Sequence, residues 1–143
     1  MQSTQQPALL LQRALDSSVT GVVIVDALQA DQPVTYVNAA FEAMTGYTAA
    51  EVIGHNCRFL QGPDRTQPAR HVLRHAIDTG TPVTAVLTNY RKDGTRFLNE
   101  LTLSPIRDDS GTITHIVGFQ QDVTEREHVR QQAAVAKIGR AHV

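Results

Sequence analysis

The chain has 143 residues, 41% of them hydrophobic, which is the size of one compact domain with a real core. A formal charge of −1, with no polybasic run, excludes the basic excess that a nucleic-acid partner requires. The single cysteine cannot form an internal disulfide, the first residues lack the plan of a signal peptide, and the apolar runs are too short to span a bilayer; the expectation is a cytoplasmic protein without membrane contact.

Residues 7–18 place Leu9, Leu10, Leu11, Ala14 and Leu15 at helical spacing, which predicts a short amphipathic helix ahead of the core. Its leucines must cover something, either the sheet of the same domain or a second copy of the chain. Two β-branched runs, residues 21–26 and 33–38, flank a polar loop and read as paired strands. Residues 39–46 and 48–54 are predicted as short helices, each closed by a glycine, with Thr48 capping the second and Glu51 completing a capping box. A longer helix is predicted over 68–79, with Pro68 near its start, Gly80 just past its end, and Leu73, Ala76 and Ile77 as its buried stripe. Three strands follow over 82–91, 95–105 and 112–122. Lys92-Asp93-Gly94 joins the first pair in a tight hairpin, and Asp108-Asp109-Ser110-Gly111 is a turn.

This order of elements gives an α+β fold, a five-stranded antiparallel sheet with short helices on one face and a flanking helix at each end. The expected division is a flanking helix in 1–18, a core in 19–122 and a second flanking helix in 123–136 with Val123, Val129, Ala133, Ala136 and Ile138 along one side. Residues 137–143, KIGRAHV, read as the translation of a widely used sequencing adapter and are expected to be foreign to the native chain.

The stretch that invites a chemical reading is Gly54-His55-Asn56-Cys57-Arg58-Phe59-Leu60-Gln61-Gly62, where the only cysteine sits among polar residues. A free cysteine is most often a small buried hydrophobe, and with no second thiol a disulfide-exchange role is disfavoured. Its neighbours point elsewhere: all seven specified positions match GxNCRFLQ, with TYVNAAFEAMTGYTAAEVIG before it and NYRKDGTRFLNEL and GFQQDVT after it. On these four ordered strings, residues 17–124 resemble the light-oxygen-voltage (LOV) family, flavin-binding photoreceptor domains of the PAS superfamily.

The resemblance implies a PAS fold, FMN held non-covalently in the dark, and Cys57 as the residue whose sulfur bonds ring carbon 4a reversibly under blue light. Its proton goes to the excited ring, so a thiol near the ordinary value of about 8.5 would serve. A flavin edge needs carboxamides that donate and accept. Asn89 and Asn99 on neighbouring strands fit, and the period of two groups Leu87 with Asn89, and Asn99 with Leu101 and Leu103 against the ring. Gln120 shares a face with Ile116 and Gly118; the resemblance sets it at ring nitrogen 5, where a reversal of hydrogen-bond roles would rotate its amide and start the signal. Gln121 would point away.

The phosphate calls for arginine's planar donor fork, and Arg58, Arg65, Arg70 and Arg74 are candidates, the last two one helical turn apart. The resemblance backs Arg58 and Arg74 most strongly. It assigns Asn56 and Gln61 to the ribityl chain and ring edge, puts His55 at the surface, and sets Val25 where many plant members carry a threonine near nitrogen 5. No metal is expected. The implied function is a blue-light photoreceptor with chemistry only on its own cofactor, no substrate turnover, and output through a homodimer joined by both flanking helices to an unidentified effector. A flavoenzyme would want a nicotinamide site, and no G-x-G-x-x-G is present. Two further readings stay open: a PAS module without flavin, and the sensor fragment of a longer LOV protein such as a histidine kinase.

Overall fold

The structure, a computed structural model, describes residues 5–63 and 66–141. Helix α1 (Gln5–Ser17) precedes strands β1 (Gly21–Asp26) and β2 (Val34–Val37), which are followed by α2 (Ala39–Thr45), α3 (Ala49–Val52) and a 3-10 helix (Cys57–Gln61). Helix α4 (Pro68–Thr79) leads to β3 (Val83–Tyr90), β4 (Arg96–Arg107) and β5 (Ile113–Asp122), and α5 (Thr124–Ala141) follows. The sheet is antiparallel with order β2-β1-β5-β4-β3, so the first and last strands meet at its centre. This is the five-stranded α+β architecture expected from the sequence.

Register decides which side chains share a face. Val23 stands opposite Gly118 and Gly118 opposite Leu103, while Gln120 lies between Gly21 and Leu101. With alternating side chains, Val25, Ile116, Gln120, Leu101, Leu87 and Asn89 therefore turn to one side. That side carries the core, where Val23, Val34, Val37, Phe41, Val52 and Leu60 pack together.

One buried polar residue ties the N-terminal half together. The Asn38 amide accepts from the Val22 and Phe41 N–H groups at 2.8 and 3.0 Å and donates to the Leu15 and Thr20 carbonyls at 2.7 and 3.0 Å. It thereby caps α2 and anchors the end of α1 to β1. Tyr36 adds a hydroxyl bond to Asp16 at 2.9 Å. Leu9, Leu10 and Leu11 of α1 face outward, Leu10 with 68% of its surface exposed, whereas Leu15 is half-buried.

Three local expectations need adjustment. Helix α2 ends on left-handed Gly46 as expected, but α3 stops at Val52 because Ile53 is extended (φ −62°, ψ 132°) and bridges to Val34; Gly54 turns left-handed only after that. The capping box of Thr48 and Glu51 is formed. The β3–β4 connection is a three-residue loop, closed by a bond from the Arg91 N–H to the Thr95 carbonyl, with Gly94 left-handed. Helix α5 does not stop at Ala136, since its alanine-rich sequence favours helix and one interior glycine opposes it by only about 1 kcal/mol. Val123 belongs to the core rather than to an exposed stripe, whereas Val129, Val135 and Ile138 are exposed.

The root of α5 is docked. The Thr124 hydroxyl accepts from the Leu98 N–H at 2.9 Å, and Asp122 accepts from the Thr124 N–H at 3.0 Å while pairing with Arg91 at 2.5 Å. Among the described residues no helix is long and apolar enough to cross a membrane.

Candidate functional site

Between the 3-10 helix, α4 and the inner sheet face lies a cavity of about 440 Å³, within the range of small-molecule sites. Its sheet wall is Val23, Val25, Leu87, Asn89, Leu101, Leu103, Ile116, Gly118 and Gln120. Asn56, Cys57, Arg58 and Gln61 come from the signature stretch, and Arg70 and Arg74 from α4. Residues scattered over the whole chain are brought together here because the fold sets the signature and α4 over the same sheet face. Arg65 lies outside the described residues. His55 and Gln121 are exposed, as expected.

Cys57 opens the 3-10 helix, capped by the Asn56 side chain, which accepts from the Arg58 N–H at 2.9 Å. Burial pushes its thiol up to about 12, well above the value near 8.5 expected from the sequence. The cause is burial: desolvation against the apolar wall penalises the thiolate, and among the described residues no charge offsets it. Cys57 therefore keeps its proton throughout the neutral range.

The carboxamides are the most telling feature. Gln61 Oε1, Asn99 Oδ1 and Gln120 Oε1 are all buried without a hydrogen-bond partner among the described residues. Leaving one such acceptor bare costs about 1–3 kcal/mol, and native structures contain few of them. Asn89 and Gln61 face the cavity directly; Asn99 stands behind Asn89 and donates to its Oδ1 at 2.9 Å. Asn56 is more occupied than expected, since it also donates to the Asp31 carbonyl at 2.6 Å.

Gly118 forms the floor. A Cβ there would stand 2.9 Å from Val23 Cγ1 and 3.2 Å from Leu101 Cδ1, so the glycine leaves flat space on the central strand. At the other end, the guanidiniums of Arg70 and Arg74 have no ion pair or hydrogen bond among the described residues, while Arg58 pairs with Asp31. Sequence reasoning missed Gln67, whose amide donates to the Thr88 carbonyl at 2.8 Å and accepts from its N–H at 2.7 Å. It serves as a short extra strand on the open edge of β3 and fixes the start of α4; nothing local in the sequence marks such a role. Acceptors awaiting donors, a planar floor, an apolar slab, a thiol and a cluster of guanidiniums together fit a flavin with a phosphorylated side chain.

Comparison with known proteins agrees. Residues 19–125 match the PAS domain family, to which the chain belongs. It is 42% identical to the LOV domain of a blue-light-activated histidine kinase from Erythrobacter litoralis, with a TM-score of 0.68, over 73% of this chain and 96% of that structure. An RNA-binding LOV receptor gives a TM-score of 0.84 at 44% identity, over 92% of this chain and 37% of that one. A blue-light photoreceptor of Listeria monocytogenes is 47% identical over 112 residues, 78% of this chain and 44% of that protein. The chain is a LOV domain of the PAS superfamily, and that membership implies a flavin chromophore. It spans less than half the length of the Listeria photoreceptor.

Proposed function

We propose that the chromophore is FMN, and that Cys57 adds to it reversibly under blue light without turnover of any substrate. The bare carboxamide oxygens of Gln61 and Gln120, lining the cavity that also holds the thiol, with that of Asn99 just behind Asn89, carry this reading. Flavin supplies blue-light absorption and an electrophilic carbon 4a beside a basic nitrogen 5. Cys57 would be the residue that supplies both proton and sulfur for a reversible bond to the bound flavin, which needs no outside oxidant because both come from the one thiol. A fully protonated Cys57 suits this role as proton donor.

Asn89, Asn99 and Gln61 hold the polar ring edge and ribityl chain, Leu101, Leu103 and Val25 flank the ring, and Asn56 braces the turn that carries Cys57. Arg58, Arg70 and Arg74 bind the phosphate, with Arg65 as a fourth contact. Gln120, whose amide can either donate or accept, would respond to a change in the bound flavin by turning. The signal leaves through α5, whose exposed Val135 (69%) and Val129, together with the α1 leucines, suit a second copy of the chain. We place the protein in the cytoplasm, as the sensor of a signalling pathway whose effector is unidentified, and assign it no nucleic-acid contact of its own.

The test is an absorbance spectrum before and after blue light. The purified protein is expected to be yellow, to bleach, and to recover in the dark. Cys57→Ala should keep the flavin and lose the bleaching entirely; covalent cycling in that variant would rule the assignment out.

A further inference from the structure

The β1–β2 loop carries two consecutive non-glycine residues in the left-handed region, Asp31 (φ 67°) and Gln32 (φ 47°). Aspartate visits that region readily and glutamine less so, and such residues persist only where their surroundings over-determine them. The surroundings here are the signature stretch. Asn56 Nδ2 donates to the Asp31 carbonyl at 2.6 Å, and Arg58 Nη2 pairs with the Asp31 carboxylate. Just beyond, the Val34 N–H donates to the His55 carbonyl and the Gly54 N–H to the Val34 carbonyl, both at 2.8 Å. Arg58 is thus held from two sides, its backbone by Asn56 and its guanidinium by Asp31, while Gln32 joins it in the cavity wall.

We propose that Asp31 is a positioning residue for phosphate recognition, selecting FMN over unphosphorylated flavin by orienting Arg58. This rests on the flavin reading above. A guanidinium offers five donors in one plane. Engaging Nη2 with Asp31 fixes that plane and leaves the other donors for an anion at the cavity mouth. The carboxylate also repels a phosphate, so positioning and competition predict opposite signs. Arg70 and Arg74 line the same cavity and add two cations without partners among the described residues, which offsets the repulsion and leaves orientation as the larger effect. Because the Asp31 and Arg58 side chains are 58% and 45% exposed, the effect is a few-fold rather than all-or-none.

The experiment compares dissociation constants of FMN and riboflavin for the flavin-stripped full chain in three forms. Asp31→Gly deletes the carboxylate and keeps the left-handed turn; Asp31→Asn keeps both the turn and an acceptor oxygen. The preference for FMN is expected to fall about three- to fivefold in Asp31→Gly, with riboflavin affinity unchanged, and to return to within about twofold of wild type in Asp31→Asn. In an Arg58→Lys background, which lacks the planar fork, Asp31→Gly should no longer change the ratio. An unchanged ratio in Asp31→Gly overturns the inference, and a raised ratio overturns it by showing competition. If the wild type binds neither flavin, the flavin reading itself has failed; if it prefers FMN and the variants match it, only the inference has.

Discussion

Asn38 and Gln120 are both carboxamides on or beside the central strands, both almost wholly buried at 0% and 3% exposure, and they are opposites. Asn38 makes four hydrogen bonds to four backbone groups, so its amide is fully used by the fold. Gln120, opposite Gly21 in the register, leaves its oxygen bare beside the cavity. The difference separates structural from functional polarity. A buried amide kept for stability is satisfied within the protein, and one kept for a ligand or a switch has capacity left over.

The largest effect should come from breaking the satisfied partner. Asn38→Ala strands the Val22 and Phe41 N–H groups and the Leu15 and Thr20 carbonyls at once, and is expected to lower unfolding free energy by about 3–5 kcal/mol in a urea titration. A loss under about 1 kcal/mol would show that water or relaxation replaces those bonds, and the contrast with Gln120 would collapse.

Next is Gly118→Ala, which tests whether the cavity floor must stay flat. The added methyl meets Val23 Cγ1 at 2.9 Å, so the floor must rise or the walls must spread. Flavin affinity is expected to fall about tenfold, with roughly 1–2 kcal/mol lost from the flavin-free protein. Retention of FMN equal to wild type would remove Gly118 from the site.

These two residues also mark what could be read from the sequence. The strands, α4, the thiol, Gln120 and three of the arginines were legible because periodicity, capping signals and a recognisable string each act locally. Asn38 was not, because its partners lie on α1, β1 and α2 and nothing about one asparagine after a strand predicts four bonds. Gly118 was read as a neighbour of Gln120, yet its use depends on Val23 and Leu101 approaching from other strands. The thiol's upward shift was equally hidden, since desolvation comes from the assembled walls.

That shift gives a smaller effect with a definite sign. In the unfolded chain Cys57 ionises near about 8.5, while the folded thiol holds its proton up to about 12. Above the unfolded value the unfolded state releases a proton the native state keeps, so stability falls as pH rises from about 8.5 towards 12. The flavin-free protein should lose about 1–2 kcal/mol by pH 10 relative to Cys57→Ala. Tyr36, whose phenol burial and then Asp16 also push up to about 12, is present in both proteins and cancels. Parallel pH profiles for the two proteins would mean the thiol is not desolvated.

The smallest change in stability, and the sharpest test of the comparison, is Gln120→Leu. Leucine has similar bulk, and its neighbours in register, Gly21 and Leu101, tolerate an apolar side chain. Removing an unsatisfied oxygen recovers part of its desolvation cost, so stability of the flavin-free protein should change by no more than about 1 kcal/mol, against the roughly 3–5 kcal/mol for Asn38. Adduct formation should persist, because Cys57 is untouched. Output should not. Gln120 lies two residues before Asp122, whose carboxylate accepts from the Thr124 N–H at 3.0 Å at the start of α5 and pairs with Arg91 at 2.5 Å. A turning amide on β5 therefore reaches the root of α5 through one short stretch of strand, and coupling of about 1–3 kcal/mol suffices to shift its docking. Solution scattering of dark and illuminated protein measures this: wild type is expected to change shape with light and Gln120→Leu to bleach without changing shape. A light-driven change that survives undiminished in Gln120→Leu would place the switch elsewhere and leave its bare oxygen as a cofactor contact alone.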